Sequence, residues 1–101
     1  MSAHHPYVCH CDPGHAWLEV SLNDMIDVGL HPWDFTRWSY YHSSNRTFFL
    51  EEDVDMGTFI TSYIAKYGEQ PKLIEQNYNY DCYVRSLDAN PIPRGTEPAF
   101  R

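Results

Sequence analysis

The chain has 101 residues, 14 of them acidic against seven basic, for a formal net charge of −7. One domain is expected at this length, and a 43% apolar content with 16% aromatics is too hydrophobic for a disordered chain. The few scattered cations disfavour direct nucleic-acid binding, no apolar run approaches the roughly 20 residues of a membrane span, and three cysteines make no disulfide framework.

The start, MSAHHPYVCHCD, has neither a basic nor an apolar leader region, so a cytoplasmic location is expected. Residues 7–11 read as a strand closed by the turn Asp12-Pro13-Gly14. Pro at the second turn position and Gly at the third predict type II geometry, with a positive φ at Gly14. Residues 16–20 read as a second strand, pairing with the first as a hairpin. Ser21 then opens SLND, a capping pattern with Asp24 at N3. Leu22, Met25, Ile26 and Leu30 follow at helical spacing up to Gly29, a C-terminal stop. Pro32 disfavours helix at His31.

A central hairpin is predicted from strands over 37–42, carrying Trp38, Tyr40 and Tyr41, and over 47–51, carrying Phe48, Phe49 and Leu50. The polar turn 43–46 joins them. The clearest helix follows: Met56, Phe59, Ile60, Tyr63, Ile64 and Tyr67 form one apolar stripe. Asp53 or Asp55 is the expected cap, and Gly68 the end. Residues 73–78 read as a last main strand and 83–87 as a short further one. The order β-β-α-β-β-α-β predicts an α+β domain over 1–88, a small antiparallel sheet with two helices packed on one face. The Pro-rich tail 89–101 is expected to be extended or flexible.

Two polar clusters stand out. In HCDPGHAWLEV, Cys9 and Cys11 share one face of a strand and His10 takes the other. Cys9 and Cys11 with His15, and with Cys82, His4 or His5 as a fourth ligand, form one candidate zinc site. His10, Asp12 and His15 form another, for a catalytic divalent cation. Against both stands a plainer account, in which Asp12 hydrogen-bonds its own turn; no cofactor is the expectation. In LEEDVD, Glu51, Glu52, Asp53 and Asp55 meet where a strand joins a helix. They can serve as helix caps, as a docking surface for a basic partner, or as ligands and bases.

The two motifs together resemble a family of small bacteriophage and mobile-element proteins with a D-P-G-H-G-W-L-x-V start and a Y-S-Y…Y-L-E-E-D-x-D centre. The matching residues are Asp12, Pro13, Gly14, His15, Trp17, Leu18 and Val20, then Ser39, Tyr40, Leu50, Glu51, Glu52, Asp53 and Asp55, with Tyr83-Val84-Arg85 as a further match. Ala16 stands where the family has glycine, and Val54 departs from its pattern too. The resemblance implies a phage context and no particular chemistry. It also raises the expectation that the two motifs are neighbours, across a shallow groove edged by Trp17 and Tyr40.

The reading that follows is an acidic inhibitor of a host defence component, of the anti-CRISPR kind. Its partner would be a host protein with a basic surface, such as a CRISPR effector subunit. Glu51, Glu52, Asp53, Asp55, Trp17, Tyr40 and Tyr41 would make the contact, because aromatic rings bury large area with little loss of rotamer freedom. The alternative is a small metal-dependent hydrolase using His10, Asp12 and His15 with Glu51, Glu52 and Asp53. A third reading is a structural domain, homodimeric through exposed aromatics.

Overall fold

The apolar stripe of the long helix decides which side of the sheet becomes the main core. In the computed structural model, which describes residues 5–95, this helix (α2, Asp55–Tyr67) ends at Gly68 in the left-handed region, φ 77°. Phe59 and Tyr63 are buried. They meet the Tyr7 ring edge-on, at centroid distances of 5.3 and 6.0 Å. Full burial of a ring of this size stabilises by about 1.5–3 kcal/mol.

Strands β1 (Tyr7–Cys11) and β2 (Ala16–Ser21) form the expected hairpin. Helix α1 (Leu22–Asp27) follows, with Ser21 Oγ accepting from the Asp24 N–H at 3.1 Å as the capping pattern predicts. It stops at Gly29, φ 85°. Strands β3 (Tyr40–His42) and β4 (Thr47–Glu51) make the second hairpin. Then come α2, β5 (Leu73–Asn77), a 3-10 turn over Tyr83–Ser86 and a two-residue strand β6 (Asp88–Ala89).

Among the described residues these strands form one six-stranded sheet in the order β5-β1-β2-β4-β3-β6. The α+β class holds, but the sheet is mixed rather than antiparallel, because β5 pairs with β1 in parallel. A strand that returns through a helical crossover arrives pointing the same way as the strand it left. β4 already runs parallel to β1, so β5 does too.

Both helices lie on one face, over Tyr7, Cys9, Leu18, Val20, Phe48 and Leu50. The opposite face is not left to solvent. Residues 78–87 cross it, and Cys82 and Val84 pack on Trp17 and Phe49 to make a second, smaller core. Segment 83–87 was expected as a strand. Instead Arg85 N–H donates to Cys82 O and Leu87 N–H to Val84 O, closing 3-10 turns. The tail through residue 95 is anchored. Asn90 is buried, donating from its side chain to Pro32 O at 2.9 Å, and Arg94 N–H donates to Phe35 O. The rest of the tail lies outside the described residues, as does His4. No described helix is long and apolar enough to cross a membrane.

Candidate functional site

The four-residue connection between β1 and β2 is built around the Asp12 side chain. Its Oδ1 accepts from the N–H groups of Gly14 and His15, both at 3.0 Å. Its Oδ2 accepts from Cys82 N–H at 3.0 Å. Arg85 completes the set, donating from Nε to Oδ2 at 2.7 Å and from Nη2 to Oδ1 at 2.9 Å. Asp12 is thus a buried structural carboxylate, its side chain fully shielded and gripped in a two-point pair. The Arg85 guanidinium, helped by the N–H donors, holds the Asp12 carboxyl well below the usual carboxylate range against the opposing effect of burial. The guanidinium also lies 5.1 Å from the centre of the Trp17 ring.

This changes the account of Gly14. Among the described glycines only Gly29, Gly68 and Gly95 have positive φ, so the type II expectation fails. Backbone conformation does not require glycine there, but a Cβ at position 14 would stand 2.8 Å from Arg85 Nη2, so the end of that side chain would have to shift.

The acidic run divides into four separate tasks. Glu51 caps α2, its Oε1 accepting from Val54 and Asp55 N–H and its Oε2 from Asp53 N–H. Val54 stands at the N-cap position with no side-chain capping bond of its own, so Glu51, rather than the expected Asp53 or Asp55, supplies the capping carboxylate. Glu52 accepts from Ala16 N–H at 3.0 Å and lies 3.6 Å from the His15 ring, which ties the two motifs together. Asp53 is exposed. Asp55, by contrast, is fully buried. It accepts from Thr36 N–H, from Thr36 Oγ1 at 2.8 Å and from Ser39 Oγ at 2.5 Å. A buried Asp55 is no docking residue; it anchors the segment that leads into β3. That anchoring also shortens β3 from the expected 37–42, because side-chain acceptors take the backbone N–H groups of Thr36 and Trp38.

A cleft edged by Trp17 and Tyr40 is present, but of the residues expected to face each other across it, His15, Glu51 and Asp53 line it and His10, Asp12 and Glu52 do not. His15, Trp17, Trp38, Tyr40, Glu51, Asp53, Val54 and Arg85 line a cleft of about 380 Å³. Trp17 is buried at its base and meets Tyr40 edge-on at 6.1 Å, while Trp38 is 65% exposed. Tyr41 is not part of it. As the neighbour of Tyr40 on a strand it faces the helices, packing on Phe48 at 4.5 Å.

His10, Asp12 and His15 do not converge. His10 is buried, with Nε2 2.7 Å from Glu19 and Nδ1 2.9 Å from the Tyr78 hydroxyl, among the rings of Phe49 and Tyr83. Asp12 is committed to Arg85, and His15 to Glu52 and the Trp17 ring. Cys9 and Cys11 lie on the helix face with their sulfurs 3.7 Å apart. Among the described residues no three His, Cys, Asp or Glu side chains are grouped to hold a metal ion.

Three cleft residues, Trp38, Val54 and Arg85, escaped the sequence reading as site residues. Trp38 reads there as a strand residue. Arg85 has a signal only in the Tyr83-Val84-Arg85 match, since nothing local ties position 85 to position 12. Comparison with protein-family models, with curated proteins and with solved structures returns no match for this chain.

Proposed function

We propose that this protein is a protein-binding inhibitor whose cleft receives a Lys or Arg side chain from a basic surface of its partner. In the phage or mobile-element setting that the DPGHxWLxV and LEEDxD motifs suggest, that partner is a host defence component, a CRISPR effector subunit being the expected example. One observation carries the reading: three aromatic residues, Trp17, Trp38 and Tyr40, share a 380 Å³ cleft with the carboxylates of Glu51 and Asp53. Aromatic faces attract cations, and carboxylates pair with them. Arg85 brings positive charge to the same cleft, but Asp12 already neutralises it. The chain's net charge of −7 adds long-range attraction for a basic partner.

The test is plating of a CRISPR-targeted phage on bacteria that express the protein. Wild type is expected to restore plaques, and D53K and W38A to lose that effect while accumulating as folded protein. Failure of wild type across the common CRISPR types, or full protection by D53K, overturns the proposal.

A further inference from the structure

A second cleft, of about 510 Å³, opens beside the β1–β2 connection and is lined by Cys9, Cys11 and Met56, with His15, Glu52 and Glu75 around them. The strand places Cys9 and Cys11 two residues apart on one face, which brings their sulfurs to 3.7 Å. Met56, in the first turn of α2, lines the same cleft and packs on the same core. Two thiols 3.7 Å apart and one thioether residue therefore line the same cleft, with two carboxylates beside them.

We propose that Cys9, Cys11 and Met56 form a three-sulfur site for a soft monovalent cation of the copper(I) class. Sulfur ligands of this kind select copper(I), which accepts few ligands. Zinc prefers four ligands in a tetrahedral set, and no such group of His, Cys, Asp and Glu is assembled among the described residues. Cys9 and Cys11 are free cysteines. Loading is then an exchange: one Cu⁺ and two S–H groups give a bis-thiolate complex of net charge −1 and release two protons to solvent. The thioether donates a lone pair and loses nothing. Copper keeps its oxidation state, so no oxidant or reductant is consumed.

The experiment is anaerobic titration of the full chain with copper(I) against bicinchoninate, with far-UV circular dichroism on every variant. Wild type is expected to take one copper per chain. C11S, at a partly exposed position, should stay folded and lose it, while C82S should keep it, since Cys82 lies in the opposite core. M56L should weaken binding by about tenfold, a change of about 1.4 kcal/mol. No copper held by wild type, retention by folded C11S, equal loss in C82S, or unchanged affinity in M56L each overturns the three-sulfur site.

Discussion

Gly14 and Arg85, remote in sequence, are in contact: the place where a Cβ on residue 14 would stand is 2.8 Å from the Arg85 Nη2. A Cβ there would press on the end of the Arg85 side chain, which makes the two-point pair on Asp12 that joins the first hairpin to the segment over 78–87.

A thermodynamic cycle tests that contact. G14A should lower Tm by roughly 4–8 °C, equivalent to about 1 kcal/mol in a chain of this size. In an R85A background the same change should cost nothing or raise Tm slightly, because the φ of Gly14 is not positive and alanine restricts the unfolded chain. Equal losses in both backgrounds would mean that Arg85 is not what excludes the side chain.

Asp12 gives the fold a defined acid response. Its folded pKa lies below the unfolded value, so its contribution is complete above about pH 3.9 and is lost as pH falls from there through the folded value. Thermal melts of wild type and D12N between pH 7 and pH 2 should show a gap that is constant near neutrality and narrows below about pH 4. A gap that widens on acidification would contradict the assignment.

The acidic run should separate by mutation. D55A leaves the donors of half-buried Thr36 and buried Ser39 without their acceptor. A loss of about 3 kcal/mol is expected, or roughly 12–24 °C in Tm. E51A removes the cap of α2, for which about 0.5–2 kcal/mol is the ordinary cost. D53A should leave Tm within about 0.5 kcal/mol of wild type, as for an exposed position. Calorimetric melts of the three variants check the ranking.

Asp53 is accordingly the cleanest probe of the cleft, and its effect on partner capture should depend on salt. Affinity for a basic partner is expected to fall with ionic strength in wild type and less steeply in D53A. A parallel dependence in both proteins would place the contact elsewhere.

Local signals read well in this sequence. The helical stripe over 56–67, the Ser21 cap and the Gly29 and Gly68 stops each depend on residues within a turn or two; helix, cap and stops are found where expected, although Ile64 of the stripe is exposed. What escaped depends on residues brought together from afar. The parallel pairing of β5 with β1 rests on the crossover. The burial of Asp55 rests on a segment 16–19 residues upstream. Residues 83–87 were expected as a short strand, whereas a 3-10 turn over Tyr83–Ser86 sets the real spacing. In the site, Glu51, Asp53, Trp17 and Tyr40 were legible as residues of one groove, but the division of labour among the carboxylates was not. It is decided by which backbone N–H groups each one meets.

The second core has a consequence for synthesis on the ribosome. The two hairpins and α2 are all complete by Tyr67, yet the face that carries Trp17 and Phe49 has no cover until residues 78–87 emerge. For that interval the nascent chain presents a half-closed sheet with two large rings bare. A chain cut short at residue 77 would keep this sticky surface permanently, so premature termination should yield an aggregating fragment rather than a smaller working protein.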